Sequence, residues 1–123
     1  MENFKIATID YPVSYEKLIS LGLIDFECWY ILEQDVAEKK YHGLQERYPT
    51  RRLIPFAQRI DNDDVACFER GKDNQVFVIH DYASTDWEQR EIYADLWAWL
   101  AVAVNDMIEW IREEEKFRHS KSE

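Results

Sequence analysis

Three residues near the middle of the chain have the types that nucleophilic catalysis needs: Cys67, His80 and Asp81. A thiol can attack a carbonyl, an imidazole can remove the thiol proton, and a carboxylate can orient the imidazole. Two segments that are expected to form adjacent strands carry these residues. Cys67, however, is placed between Ala66 and Phe68 in an apolar run, where no helix N-terminus is indicated that would stabilise a thiolate. We therefore expect a buried, inert thiol, and a thiol hydrolase stays as an alternative.

A second candidate is the acidic run at 61–64, because alternating carboxylates can wrap a calcium ion. An EF-hand loop that began at Asp61 would need glycine at its sixth position and glutamate at its twelfth. The sequence has Ala66 and Lys72 there, so the motif fails and a turn is expected. The three histidines are too scattered to predict a zinc site, and there is no glycine-rich phosphate loop. We predict no metal and no cofactor.

The candidate residues lie in or between three short apolar segments, 53–57, 65–68 and 76–82. The polar segments that separate them are rich in Asp, Asn and Gly, which favour chain reversal. The pattern predicts three strands in an antiparallel meander. A three-stranded sheet needs a cover over its apolar face, and the flanking segments must provide it.

The flanking segments are mostly helical in pattern. After the meander, apolar residues recur at spacings of three and four from Leu96 to Ile111, which places them on one helix face. The predicted elements outside the meander are a strand at 4–9, a helix at 14–22, an extended segment at 29–32, a helix at 33–48, a polar connection at 84–90 and a long helix at 92–117. We expect one α+β domain spanning 1–123, with a mostly antiparallel sheet, a central three-strand meander, helices packed mainly on one face and a long C-terminal helix.

The net charge of −10 restricts the expected partners. A strongly acidic chain repels nucleic acid and anionic lipid, so a basic protein is the expected partner.

The longest apolar run, 96–104, has nine residues, fewer than the roughly 20 needed to span a bilayer. No signal peptide is visible, and both cysteines lie in apolar runs as they do in reducing compartments. We expect a cytoplasmic protein that does not enter a membrane.

The charges are unevenly distributed along the chain. Residues 61–95 hold ten acids and three bases, a net charge of −7, whereas residues 39–59 hold six bases and one acid, a net charge of +5. The acidic segment is either an ordinary solvated surface or a docking surface for a cationic protein, because complementary fields speed association and set register. The sequence leaves both interpretations open.

The central segments resemble the SUKH superfamily. The likeness is carried by the strand at 53–57, the acidic turn and strand at 61–68, the strand at 76–82 and the closing helix around 93–110. The family places an apolar strand, an acidic or glycine-rich turn, two further strands and a final amphipathic helix in this order. The likeness covers about residues 14–112. One difference is that this turn reads Asp-Asn-Asp-Asp where many members have glycine.

The resemblance implies a protein-binding module with no catalytic residues. Many members are immunity proteins of bacterial toxin–antitoxin systems that neutralise a cognate toxin domain, often a nuclease, and others are regulatory interaction domains. An acidic inhibitor can occupy the basic nucleic-acid groove of a nuclease. We therefore expect an immunity protein that binds a basic toxin domain. The alternative is a regulatory or scaffolding module of the same fold that binds a host protein.

The expected partner contacts are the acids and the tryptophan of two predicted loops. They are Asp61, Asp63, Asp64, Asp86, Trp87 and Glu88. Trp87 is the expected anchor because it is a large aromatic residue among loop charges, and the alternative is a tryptophan packed under the final helix. A homo-oligomer that associates through Trp97, Trp99 or Val104 is a further hypothesis.

Overall fold

The computed structural model describes residues 2–122 and shows an α+β fold of three α-helices and a five-stranded sheet. A short 3-10 helix, Glu2–Phe4, precedes them. In chain order the elements are α1 Val13–Ser20, β1 Trp29–Ile31, α2 Gln34–Arg47, β2 Leu53–Arg59, β3 Asp64–Glu69, β4 Val76–His80, β5 Gln89–Tyr93 and α3 Leu96–Ser122. The predicted fold class, central meander and long C-terminal helix are confirmed.

The strands lie in the sheet in chain order, from β1 to β5, and every neighbouring pair is antiparallel. In the centre Val65 pairs with Ile79 and Cys67 pairs with Phe77. Register shifts interrupt the pairing of β2 with β3 and of β4 with β5. Because each strand reverses the direction of the one before it, successive connections lie at opposite ends of the sheet.

One end of the sheet carries both the β2–β3 turn, 60–63, and the β4–β5 loop, 81–88, and we call it the loop end. The two connections lie side by side. The Asp81 amide donates a hydrogen bond of 3.0 Å to the Asp63 carbonyl oxygen. The fold therefore brings together two acidic segments that are about 20 residues apart in sequence.

Helices cover both faces of the sheet. Because side chains alternate along a strand, Ala66 and Phe68 face a large core with α1 and α3, whereas Val65 and Cys67 face a smaller core. Helix α2 covers that second core and contributes Leu44 to it. Two of the three helices lie on the first face, in agreement with the expectation that helices gather mainly on one face. Both faces of the central strands are buried, which leaves the ends and edges of the sheet for binding.

Aromatic rings fill the larger core. Trp99 of α3 packs edge to face against Trp29 and Phe56, with ring centroids 5.6 and 5.0 Å apart. Tyr15 of α1 meets Phe56 in the same way at 5.7 Å. Each such pair contributes about 0.5–1.5 kcal/mol beyond the area that it buries. Trp99 is only 1% exposed, so it belongs to the core and cannot mediate the self-association considered above.

The predicted strand at 4–9 is wrong. The chain instead forms a turn there, in which the Ile9 amide donates a hydrogen bond of 3.1 Å to the Ile6 carbonyl oxygen. The Ile6 amide donates to the Tyr11 hydroxyl at 3.2 Å, so no neighbouring strand is needed to satisfy it. Ile6 is buried against Leu32 and Ala37. Its apolar character reflects this small cluster, not a strand face.

The predicted polar connection at 84–90 and the helix start at 92 are also wrong. This region contains the edge strand β5, and α3 begins at Leu96. The three central residues of β5 are exposed, so no apolar alternation marks it in the sequence. Asp95 caps the helix, because its Oδ1 accepts a hydrogen bond of 2.9 Å from the Ala98 amide.

Candidate partner-binding site

The β4–β5 loop, 81–88, which we call the display loop, contains three of the six predicted contacts. Its first and last residues are the buried acids Asp81 and Glu88, which are 1% and 5% exposed. A buried carboxylate without a partner costs several kcal/mol, so each must be matched by bases. The bases come from α2 and from the segment that follows it.

Asp81 is bound by two bases of α2. Its carboxylate accepts hydrogen bonds from Arg47 Nε and Nη2 at 2.7 and 2.8 Å and from Lys40 Nζ at 3.1 Å. The Tyr82 amide donates a further bond of 2.8 Å to Asp81 Oδ1. Burial alone would raise the pKa of Asp81, but the hydrogen bonds from Arg47 and Lys40 outweigh it and the pKa lies below its ordinary value. The charged carboxylate therefore ties the start of the display loop to α2.

Glu88 ties down the other end of the loop. Its Oε2 accepts a hydrogen bond of 3.0 Å from Arg51 Nη1, and its Oε1 accepts one of 2.7 Å from the Asp86 amide. Arg51 also pairs with Glu69 of β3 at 2.7 Å. Burial would raise the pKa of Glu88, but backbone hydrogen bonds and Arg51 hold it below its ordinary value. Arg51 thus joins the end of the display loop to the last residue of the central strand β3.

The backbone of the display loop is strained. Tyr82 and Asp86 have left-handed φ angles of 68° and 76°, which cost roughly 1–3 kcal/mol in residues that carry a side chain. Contacts from α2 and its C-cap hold this shape. The Tyr48 hydroxyl donates a hydrogen bond of 2.7 Å to the Ala83 carbonyl, and the Arg47 guanidinium lies 4.2 Å from the centre of the Tyr82 ring. Strain that tertiary contacts maintain is typical of binding and active sites.

The display loop exposes its tryptophan. Trp87 is 81% exposed, so the alternative placement under the final helix is wrong. Tyr82 on the same loop is 65% exposed. Asp86 beside it and Asp63 on the adjoining turn are exposed, and neither makes an ion pair with any residue that the structure describes. A large aromatic side chain and two unpaired carboxylates therefore share the loop end.

The other acids of the loop end have partners within the chain. Asp61 is exposed, but Arg59 Nε lies 2.7 Å from its carboxylate and lowers its pKa. Asp64 is 8% exposed and binds Arg90 at 2.9 Å and His80 at 3.0 Å. Of the six predicted contacts, the structure displays Asp63, Asp86 and Trp87 and pairs Asp61, Asp64 and Glu88 internally.

The basic segment at 39–59 supplies most of these internal partners. Lys40, Arg47, Arg51 and Arg59 each bind a carboxylate of the acidic segment that follows in sequence. These bases were not among the residues predicted to form the site. Two successive segments of opposite charge were the available signal, because such segments can pair with each other in the folded chain.

The structure does not bring Cys67 and His80 together. Cys67 pairs with Phe77, whereas His80 pairs with Asp64 three positions further along the ladder, which puts the thiol and the imidazole on opposite faces of the sheet. Cys67 is 0% exposed, and burial raises its pKa. Asp81 binds two bases of α2 instead of an imidazole. The arrangement that a thiol hydrolase needs is therefore not formed.

Among the residues whose side chains the structure describes, 3–118, no group of three or more His, Cys, Asp or Glu could hold a metal ion. Within the same part of the chain, no helix combines the length and the apolar character that crossing a membrane requires. Comparison with protein-family models, with curated proteins and with solved structures finds no match.

Proposed function

We propose that the chain is a non-catalytic protein-binding module whose contact surface is the display loop with the adjoining β2–β3 turn. The observation that carries this proposal is Trp87, which is 81% exposed on a loop that two buried carboxylates hold in place. Tryptophan is among the residues that most often dominate the binding energy of interfaces. Asp63 and Asp86 add negative charge beside it.

The display loop that carries Trp87 is held in one conformation, which favours tight binding. Immobilising a flexible side chain at an interface costs about 0.5–1.5 kcal/mol, and ordering a loop adds to that cost. The ends of the display loop are already held by Asp81 and Glu88, and its centre is held by the Tyr48 hydroxyl. Most of the ordering has therefore taken place during folding, so binding loses less entropy.

The partner that fits this surface is a basic protein. Unpaired carboxylates and a net charge of −10 attract a cationic surface and speed its association. In view of the resemblance to the SUKH superfamily, we propose that the partner is a toxin domain. A nuclease is basic around its nucleic-acid groove, and an acidic protein that fills this groove would block substrate. The chain would then act in the cytoplasm as the immunity protein of the pair.

The test uses three versions of the chain as bait: wild type, Trp87→Ala and Trp97→Ala. Trp97 is the matched control, because it is also partly exposed, at 41%, but lies at the start of α3. The captured protein is identified, purified and titrated against each version. We expect a basic toxin domain that binds wild type and Trp97→Ala equally. We expect it to bind Trp87→Ala about 30-fold more weakly, a loss of about 2 kcal/mol.

Three results would count against the proposal. Equal affinity for all three baits would show that the display loop is not part of the interface. Capture of a host regulatory protein, with no toxin, would replace the immunity function with the regulatory alternative. An affinity that added salt does not weaken would contradict the electrostatic part, because exposed charge pairs are screened by ions.

A further inference from the structure

A second surface at the loop end is a groove of about 590 Å³ between α3 and the end of β2. Arg59, the last residue of β2, forms one side. The other side is the C-terminal half of α3, and the residues of the lining that matter here are Glu109, Trp110, Glu113, Glu114 and Phe117. The groove adjoins the β2–β3 turn and is separate from the display loop.

The groove exists because α3 is longer than the sheet that it covers. The helix has 27 residues and is about 40 Å long, yet among its residues up to 118, whose side chains the structure describes, Ala103 is the last that is buried and Trp110 is the last that packs against the large core. About 18 Å of helix follow Trp110 before Ser122. Residues 112–118 of this segment are all exposed. The end of α3 is therefore suited to receive a partner.

The apolar stripe of α3 continues into the groove. Ala103, Met107 and Trp110 follow one another at spacings of four and three, and Phe117 comes seven residues later on the same helix face. The first three contact the core of the protein. Phe117 is 65% exposed. The groove thus presents apolar surface that extends the internal core outward.

The charges around this apolar surface are mainly negative. Glu109 and Glu114 make no ion pair with any residue in the described part of the chain, and Glu113 has only an exposed contact of 3.4 Å with a lysine. Arg59 is already neutralised by two carboxylates, at 2.7 and 3.1 Å. Arg118 is the remaining base of the lining. A cationic occupant is therefore favoured over an anionic or neutral one.

We propose that this groove docks a cationic amphipathic helix of the protein partner. An apolar helix face would pack on Trp110 and Phe117, and lysine or arginine on its flanks would meet the glutamates. A second copy of this chain is a poorer occupant, because it would bring two chains of charge −10 together. Since the occupant is taken from the partner, the proposal rests on the proposed function. The groove and the display loop share the loop end, so one partner can contact both.

The test needs no knowledge of the natural partner. The probe is a synthetic amphipathic helix of leucine and lysine, longer than about 15 residues so that it is stably helical. The control probe has glutamate in place of lysine. Amide and indole resonances of the full chain are followed by NMR as each probe is added. We expect the lysine probe to shift the Trp110 indole and the amides around Arg59, and the glutamate probe to shift neither.

Variants then locate the binding site. Glu113→Lys combined with Glu114→Lys is the main variant, because both side chains are exposed and the change leaves the fold intact. We expect the affinity for the lysine probe to fall at least 10-fold, about 1.4 kcal/mol. Glu115→Lys is compared with Glu114→Lys alone, which makes the same change of charge, and it should leave binding nearly unchanged because Glu115 lies outside the groove lining. Trp110→Ala should also lose the probe, and Trp87→Ala should keep it.

Undiminished binding to the double variant, or resonance shifts confined to the display loop, would overturn the assignment. So would a concentration-dependent dimer in sedimentation experiments that Trp110→Ala abolishes, because the groove would then belong to a second copy. These outcomes leave the proposed function intact, since that function depends on Trp87 and on the natural partner. Conversely, full partner binding by Trp87→Ala would contradict the proposed function without affecting the probe experiment.

Discussion

Two pairs of carboxylates share the loop end and behave in opposite ways. Asp81 and Glu88 are buried and bound by arginine and lysine, whereas Asp63 and Asp86 are exposed and unpaired within the described residues. The sequence counts all four equally toward the charge of their segment. In the folded chain, the buried pair determines the shape of the display loop and the exposed pair determines the field around it.

This difference shows that the charge of a segment does not give the charge that it presents to a partner. Half of the ten acids between 61 and 95 form ion pairs within the chain, most of them with the basic segment at 39–59. Paired carboxylates contribute little to the field at a distance, because the opposite charge is a few ångströms away. The attraction of a basic partner therefore depends on a few exposed acids.

The largest expected effect is a loss of stability when Asp81, one of the two buried carboxylates, is neutralised. Asp81→Asn keeps the shape of the side chain but leaves Arg47 and Lys40 without their counter-charge, so the free energy of unfolding should fall by about 3 kcal/mol. Asp63→Asn is the matched control and should change it by less than about 0.5 kcal/mol. Urea denaturation measures both. Equal losses of stability would contradict the assignment of Asp81 as a buried, paired carboxylate and Asp63 as an exposed, unpaired one.

The next effect separates binding from stability. Trp87→Ala should leave the free energy of unfolding within about 0.5 kcal/mol of wild type, because the side chain is 81% exposed and packs on little. The same change should weaken partner binding by about 2 kcal/mol. Denaturation and titration calorimetry on one protein preparation give both numbers. A large loss of stability would mean that Trp87 supports the fold instead of displaying a contact.

Much of the fold could be predicted because burial leaves a trace in the sequence. The central strands are apolar runs between polar turns, and α3 has a regular stripe. The edge strand β5 could not be predicted, because its three central residues, Arg90, Glu91 and Ile92, are all exposed and leave no apolar alternation in the sequence. The turn at 4–9 was mistaken for a strand because Ile6 is buried by tertiary contacts that short-range patterns do not reveal.

The candidate site could be predicted only in part. The sequence located the two acidic connections and Trp87, since polar runs between apolar segments mark loops. It could not separate Asp63 from Asp64, neighbours of which one is exposed and the other is 8% exposed in an ion pair. That distinction depends on strand register, which places Asp64 opposite His80. The roles of Lys40, Arg47 and Arg51 were hidden because their partners Asp81 and Glu88 are more than 30 residues away in sequence.

A smaller effect should come from reversing an exposed charge. Asp63→Lys should lower partner affinity by about 0.5–1 kcal/mol, mainly through slower association, and high salt should abolish the difference. Glu46→Lys makes the same change of charge on the exposed surface of α2 and should have less effect. Stopped-flow association rates at two salt concentrations test this. If both variants behave alike, the overall charge matters and the placement of Asp63 does not.

The last prediction concerns the pH dependence of the free energy of unfolding, which should be small near neutral pH. The pKa values of Asp81 and Glu88 lie below their ordinary values of 3.8 and 4.5, so the folded state binds fewer protons than the unfolded state as pH falls. Their stabilisation is complete above about pH 4.5 and should be lost as pH falls through the lower folded values. Asp81→Asn should flatten this decline. The test is to measure the free energies of unfolding of wild type and Asp81→Asn between about pH 6 and about pH 3.

The most direct measurement is an NMR footprint of the purified partner on the isotope-labelled chain. If the display loop is the contact surface, the Trp87 indole and the amides of residues 82–86 will shift or broaden on binding, and the Trp97 indole will not. The amides of Asp63 and its neighbours in the turn should move with them. A footprint on the β3–β4 turn at the opposite end of the sheet, with the Trp87 indole unchanged, would contradict this assignment.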